Sequence, residues 1–241
     1  MPSLKTALSI VHRDRQWWQK SLIGGALWLT VVGYPFVEGF QIESMENTNN
    51  GYPSPLPRWN DLGTKAVQGL FAFVIDFFFF VFPVLLGGMF LMCSGLALGL
   101  AGVQGMGLQI FGTAAVAAIG LWICIAWLSS VSPVAKRMYV SEGQPGSALS
   151  TKPLRQALER DSRLVYFQTR LQSLPLYLVP LVLLIITLQT IDVSGWLTLV
   201  LLWLTLSTLV YARLVVVQLY DAAAREIQRR KFEAFRARVS G

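Results

Sequence analysis

The stretch Ala66-Val-Gln-Gly-Leu-Phe-Ala-Phe-Val-Ile-Asp-Phe-Phe-Phe-Phe80 opens a run of seventy residues, Ala66 to Ala135, that contains one charged side chain, Asp76. As a single helix this run would be on the order of 105 Å long. The hydrocarbon core of a bilayer is only roughly 30 Å thick. The run is therefore predicted to cross or re-enter a membrane more than once.

A second apolar run, Leu174 to Ala212, contains only Asp192 as a charged residue and is long enough for two further crossings. Hydrophobic residues make up 54% of the chain and charged residues 14%, which is too little polar surface for a soluble domain of this length. In hydrocarbon the backbone must satisfy its own hydrogen bonds, as helices or closed barrels do. Since residues 181–186 show no alternation of polarity, the sequence predicts an all-α polytopic transmembrane bundle with about four to six crossings. We expect residues 1–241 to form one integral membrane domain.

The first apolar segment, Ser21 to about Ile42, is short and is interrupted by Gly33 and Pro35. It is predicted to be either a marginal crossing or a re-entrant hairpin. The polar stretch that follows, Glu43 to Lys65, is rich in turn formers and helix breakers and is predicted to be a loop.

The apolar residues 66–102 exceed the roughly 20 that one straight span needs. Either the start of this stretch lies along the interface, or Pro83 divides it into two passes. A strong span is predicted from about Leu108 to Ser132. The total would be six crossings with Pro83 as a divider, or four if the first segment only dips into the membrane.

Residues 1–20 mix basic side chains with Trp17 and Trp18 just before the first apolar segment. This pattern predicts an interfacial helix, anchored by its indole rings at the level of the lipid headgroups.

Two further regions carry an excess of Lys and Arg, residues 136–172 and the tail 218–241. Basic loops favour the cytoplasmic side, so both regions are expected to lie there. The two apolar segments between them, Leu174–Ile191 and Ser194–Val217, are then predicted to form an out-and-back hairpin that turns near Asp192. The tail is predicted to be helical and loosely amphipathic, suited to the bilayer surface or to a cytoplasmic partner.

Asp76 is the candidate functional residue, because an ionisable side chain inside a membrane usually faces other helices or a water-filled path. One hypothesis makes it a cation or proton site. The other places it near the interface, or keeps it neutral and hydrogen-bonded, because burial disfavours the charged form. No Lys, Arg or His lies in the same run, and Arg213 is expected to extend toward the cytoplasmic surface.

Gly95 and Gly99 have the spacing that lets helix backbones approach closely. They are candidate packing positions, either at a subunit interface or, as we favour, between neighbouring spans.

No catalytic, cofactor or metal site is expected, because His12 is the only histidine and the two cysteines lie far apart in apolar runs. An enzyme acting on lipid would need acid–base groups gathered near one leaflet, and Asp61, Glu142 and Asp192 are the scattered options. The basic clusters flank spans, so the bilayer rather than nucleic acid is the expected partner.

Several short elements occur in a characteristic order: Gly39-Phe40, then Leu56-Pro57-Arg58-Trp59-Asn60-Asp61, then Gly69-Leu70. This order resembles an uncharacterised family of bacterial and archaeal multipass membrane proteins, a domain of unknown function with a Leu-Pro-x-Trp-x-Asp element. The residues Met138-Tyr139-Val-Ser-Glu-Gly143 look similar as well, whereas Phe40 stands where that family usually has tyrosine. The resemblance implies architecture and supplies neither a substrate nor catalytic residues. Physically, Trp59 is predicted to anchor at the headgroups, and Asn60 or Asp61 to cap the next helix.

The leading functional hypothesis is a non-enzymatic structural, assembly or accessory subunit that binds itself or a larger membrane complex. The alternative is a small transporter or permease component that uses Asp76, with the broken helices at Pro35 and Pro83 lining a route. The expected location is a prokaryotic plasma membrane or an internal photosynthetic membrane.

Overall fold

The computed structural model describes residues 3–89, 92–93, 114–115, 117–118, 120–122 and 130–239. Within these residues the chain is helical between turns and forms no strand, which confirms the predicted all-α class. Most of the span predicted at Leu108–Ser132, and the pair Gly95 and Gly99, lie outside the described residues.

The helices are numbered in chain order. A π-helical turn, Phe77–Val81, follows the fourth helix, and a 3₁₀ turn, Leu174–Tyr177, joins the eighth helix to the ninth. The bounds are α1 Leu4–His12, α2 Trp17–Leu29, α3 Tyr34–Asn49, α4 Leu62–Asp76, α5 Val131–Glu142, α6 Pro145–Ala148, α7 Lys152–Leu158, α8 Arg160–Ser173, α9 Leu178–Gln189 and α10 Gly195–Val239.

Three continuous helices in the described part of the chain are long and apolar enough to cross a membrane: Leu62–Met89, Ser162–Gln189 and Gly195–Val239. They indicate a membrane protein. The last of them, α10, is the central element of the fold, because it packs against α1, α2, α3, α8 and α9. Its buried side chains join two apolar clusters, one around Leu214 with α1 and α3, the other around Tyr220 with α5 and α8.

The C-terminal helices form the predicted hairpin, and its crossing of a membrane stays a prediction. Helix α9 ends at Gln189, the chain turns over Thr190–Ser194, and α10 returns along α9. The hydroxyl oxygens of Thr187 and Thr205 lie 3.3 Å apart between the two helices. Residues 218–239 are helical, and α10 runs through them without a break.

Pro83 does not divide its run within the described residues, since one helix continues from Leu62 to Met89. The π-helical turn lies directly before this proline. A proline has no N–H to give to the helical ladder, and a π-turn locally changes the hydrogen-bonding pattern. The irregular hydrogen bonds of the π-helical turn therefore come just before the proline that lacks an N–H donor. The helix continues past Pro83 to Met89.

The first apolar segment forms two helices, α2 and α3, joined by a turn over Thr30–Gly33. Val31 in this turn has a positive φ of 58°. The predicted loop at Glu43–Lys65 is shorter than expected, because α3 runs on to Asn49 and α4 begins at Leu62. Polar residues near the end of α3 remain helical since they bond inside the protein: Gln218 Nε2 donates to Ser44 Oγ at 3.1 Å, and Thr48 Oγ1 donates to Gln218 Oε1 at 2.9 Å.

Residues 1–20 contain α1 and the first turn of α2, and their position at the membrane interface stays a prediction. Ala7 and Val11 of α1 are fully buried against α10, so this helix packs into the protein. The break between α1 and α2 contains Asp14, whose carboxylate accepts the backbone N–H of Gln16 at 2.8 Å.

Candidate functional site

Asp76 lies buried at the end of α4, and its charge is matched from distant parts of the chain. Lys136 Nζ of α5 lies 2.5 Å from Asp76 Oδ2, and Arg213 Nη2 of α10 lies 3.4 Å from the same oxygen. The hydroxyl of Ser132 donates a short hydrogen bond to Asp76 Oδ1. Two cations thus face the carboxylate of Asp76, an environment that favours its charged form over the neutral one. A position of Asp76 near the interface stays a prediction.

Glu38 of α3 is the second acid of the site, and its side chain is fully buried. Its Oε2 lies 2.7 Å from Lys136 Nζ, and its Oε1 lies 2.6 Å from Arg213 Nη1. Each carboxylate therefore contacts both cations. We call Glu38, Asp76, Lys136 and Arg213 the ionic cluster; its formal charges sum to zero.

The expectation that Arg213 extends toward the cytoplasmic surface is wrong. Lys136, which begins the basic region 136–172, also turns its side chain into the protein. The side chain of Lys136 is 7% exposed and that of Arg213 is 21% exposed. An unpaired carboxylate in a low-dielectric interior is costly, so attraction to Glu38 and Asp76 holds both cations inward.

Aromatic rings cover one side of the cluster. The Arg213 guanidinium lies 5.4 Å from the centre of the Trp28 ring and 6.0 Å from that of Tyr34. These two rings are stacked with their centres 5.8 Å apart across the turn between α2 and α3. Tyr34 also donates its hydroxyl to Asp76 Oδ2 at 3.4 Å. The guanidinium thus lies between the two carboxylates and the two rings, and the Tyr34 hydrogen bond ties one of these rings to Asp76.

Two glycines bring the carboxylates together by letting α3 and α4 touch. A Cβ on Gly39 would lie 1.9 Å from the carbonyl oxygen of Lys65, and one on Gly69 would lie 1.6 Å from the carbonyl oxygen of Pro35. No larger residue fits at either position without moving a backbone. Both glycines belong to the elements that carry the family resemblance, so those elements have a packing role.

The Leu-Pro-x-Trp-x-Asp element is also structural. Leu56 is buried and its carbonyl accepts Lys20 Nζ at 2.8 Å, while Trp59 Nε1 donates to the Lys20 carbonyl at 3.1 Å. The Trp59 ring stacks on buried Phe40 with 4.3 Å between the ring centres. Asp61 is the N-cap of α4, where its side chain accepts the N–H of Thr64, as predicted.

The predicted interfacial anchors have different surroundings. Trp17 lies among His12 and Tyr211, with ring centres 4.9 Å and 4.8 Å away. Trp18 is 49% exposed and is free to reach headgroups, whereas the stacked ring of Trp59 is held by protein. Anchoring by Trp17 and Trp18 stays a prediction.

Two further sets of buried ion pairs lie outside the ionic cluster. Asp221, fully buried, pairs with Arg137 at 3.2 Å and with Arg225 one helical turn away. Lys65, also buried, pairs with Glu43 at 2.6 Å. Arg137, which the sequence assigned to the cytoplasmic basic region, thus joins α5 to α10.

The described residues contain no group of three His, Cys, Asp or Glu side chains that could hold a metal ion. Asp61, Glu142 and Asp192 lie on separate elements: the start of α4, the end of α5 and the turn before α10. In the part of the chain that the structure describes, no hydrogen bond or ion pair joins any two of them. The absence of enzyme activity stays a prediction.

Sequence reasoning found Asp76 and missed its partners. Glu38 is the sequence feature that could have pointed to these partners, because it is a second acid within an apolar segment. Two acids in apolar surroundings require two cations nearby, and that requirement points to the basic residues nearest the ends of other apolar runs, Lys136 and Arg213.

Comparison with known proteins gives one family match. The family model described as a protein of unknown function (DUF4013) matches residues 22–189. This range includes three of the four residues of the ionic cluster. Neither the curated proteins nor the solved structures give a significant match.

Proposed function

The chain belongs to the DUF4013 family of unknown function, and we propose that it is a non-enzymatic integral membrane protein that serves as a structural, assembly or accessory subunit of a membrane complex. The membrane is proposed to be a prokaryotic plasma membrane or an internal photosynthetic one, crossed four to six times. The partners are lipid and other membrane subunits, or a second copy of the chain.

The ionic cluster carries this proposal. Four charges from α3, α4, α5 and α10 pair with one another and sum to zero. A carrier of cations would instead keep a carboxylate available to its cargo. A closed and neutral cluster acts as an internal tie between helices, which suits a protein whose task is to hold a fixed shape.

The surface of α9 supports binding to other helices. Four of its side chains form one stripe at helical spacing, each about half exposed or more: Leu178, Leu181, Ile185 and Leu188. In a membrane such a stripe contacts lipid or a partner helix.

The test is purification in a mild detergent with identification of co-purifying proteins. Leu181→Trp with Ile185→Trp keeps the stripe apolar but adds bulk, so a bound subunit should be lost while folding persists. The matched control, Leu181→Ile with Ile185→Leu, conserves volume and should retain the subunit. A wild-type chain that purifies with lipid alone and as a monomer would contradict the proposal.

A transporter remains the second candidate, because a π-helical turn follows Asp76 directly and such turns recur at functional sites. The discriminating variant is Asp76→Asn with Lys136→Met, which removes one positive and one negative charge. An internal tie tolerates this neutral exchange and keeps its co-purifying subunit. Loss of ion flux in vesicles by a variant that is still folded would favour the transporter.

A further inference from the structure

A groove of about 750 Å³ lies between α8 and the C-terminal part of α10. It is lined by basic and apolar side chains with one acid among them. The charged and apolar residues that line it include Arg160 and Leu164 from α8, and Lys231, Phe235 and Arg238 from α10.

The groove keeps an uncompensated positive charge. Lys231 pairs with Glu159, and Arg230 pairs with Glu226 one turn earlier on α10 at 3.0 Å. Among the described side chains, Arg160 and Arg238 form no ion pair. Two guanidinium groups are therefore available to an anion in the same groove.

Exposed apolar side chains lie beside these cations. Leu164 is 60% exposed and Phe235 is 66% exposed, and both line the groove. A ligand with an anionic group at one end and an apolar part at the other would pair with the two guanidinium groups and cover the two apolar side chains.

The position along the helices agrees with such an occupant. Measured from the contact between Thr187 and Thr205 that joins the two helices, Leu164 lies about 35 Å along α9 and α8, and Phe235 lies about 45 Å along α10. The hydrocarbon core is only roughly 30 Å thick. With the turn at one membrane face, the groove begins at headgroup depth on the other.

We propose that this groove binds an anionic phospholipid, with its phosphate on Arg160 and Arg238 and its apolar part on Leu164 and Phe235. Guanidinium groups suit phosphate because they present several N–H donors in one plane. The inference is independent of the proposed subunit role, since a scaffold and a transporter could both carry such a site.

The test uses the full chain in detergent micelles and counts bound lipids by native mass spectrometry. Wild-type protein should retain phosphatidylglycerol and release phosphatidylcholine of the same acyl length. Arg160→Gln with Arg238→Gln should weaken phosphatidylglycerol binding roughly thirty-fold, from a roughly five-fold contribution of each basic side chain. Arg13→Gln with Arg15→Gln changes the net charge equally outside the groove and should leave the affinity unchanged.

A second comparison separates a lipid from other anions. Phe235→Gln should weaken phosphatidylglycerol but leave glycerol phosphate binding as it was. Equal retention of both lipids by the wild type would overturn the proposal. So would competition by free glycerol phosphate at the lipid's own affinity, or selective binding of an acidic peptide. Circular dichroism of each variant ensures that lost binding does not reflect lost folding.

Discussion

At the scale of single residues, Glu38 is the side chain whose charge is most costly to remove. It is fully buried and contacts both Lys136 and Arg213. Glu38→Gln leaves two buried cations facing one carboxylate, and breaking a buried pair in this way costs about 3–5 kcal/mol. We expect a correspondingly lower free energy of unfolding in a titration with sodium dodecyl sulfate followed by tryptophan fluorescence.

Two variants control this prediction. Glu233→Gln makes the same chemical change in an exposed pair with Arg229 and should leave the unfolding midpoint unchanged. Glu38→Gln with Arg213→Gln restores neutrality and should recover part of the loss. If Glu38→Gln proves as stable as wild type, the cluster does not tie the helices.

Asp14 gives the protein a pH-dependent stability outside the apolar spans. Burial raises the pKa of its carboxyl group, but hydrogen bonds from Lys20, the Gln16 N–H and Ser54 outweigh burial, and the pKa falls below its usual 3.8. A lowered folded-state pKa stabilises the fold above the unfolded pKa, and this contribution is lost as pH falls through the folded value.

Asp14→Asn is therefore expected to destabilise the protein by about 2 kcal/mol near pH 7. The difference from wild type should stay constant down to about pH 5 and begin to shrink below about pH 4, where the carboxyl group of the unfolded wild-type chain protonates. It should disappear only below the lowered pKa of the folded protein. Thermal unfolding of both proteins across this range measures the effect. A difference that grows in acid would contradict the assignment of Asp14.

The sequence identified Asp76 because hydrocarbon penalises a charge wherever it lies. It did not identify Lys136 and Arg213 as partners, since pairing across sixty or more positions leaves no local periodicity. Their basic character instead matched the rule for cytoplasmic loops. Long-range pairing is a property of the packed bundle, so only the arrangement of α3, α4, α5 and α10 reveals it.

At the scale of elements, the contact between α3 and α4 depends on Gly69. A Cβ there would lie 1.6 Å from the Pro35 carbonyl oxygen. Because the clash is with backbone rather than with a flexible side chain, Gly69→Ala must push α3 and α4 apart. We expect a loss of about 3 kcal/mol, the upper part of the range for overpacking, measured by the same denaturant titration.

Gly63→Ala is the matched control within α4. The nearest heavy atom to its added Cβ is 4.0 Å away, so alanine should be neutral or stabilising by up to about 1 kcal/mol through helix propensity. A Gly69→Ala protein with the stability of the Gly63→Ala protein would show that α3 and α4 do not make this contact.

Helix boundaries were predicted well where turn chemistry and apolar periodicity agreed. The turn near Asp192 and the N-cap at Asp61 were both found from sequence. The end of α3 was missed because its polar residues resemble a loop, although Ser44 and Thr48 bond to Gln218 inside the protein. Polarity alone does not distinguish a solvated turn from a buried polar contact.

At the scale of the whole molecule, the hairpin of α9 and α10 predicts which ends of the protein share a membrane face. From Gly195 to Arg238 α10 is about 65 Å long, longer than the 40–45 Å of a bilayer with its headgroups. Its last turns are rich in Arg and exposed, and we expect them to lie in the cytoplasm. The turn at Asp192 is then expected on the opposite face.

Cysteine labelling in intact cells tests this topology, in a background that carries Cys93→Ala and Cys124→Ala. A membrane-impermeant maleimide should label Asp192→Cys directly and label Arg238→Cys only after permeabilisation. Ser207→Cys, at a position 3% exposed in the middle of α10, should stay unlabelled in both conditions. Labelling of Asp192→Cys and Arg238→Cys from the same side would mean that the hairpin does not cross. The groove beside Arg238 would then have no fixed place at the cytoplasmic headgroups, so this one measurement bears on both the topology and the lipid site.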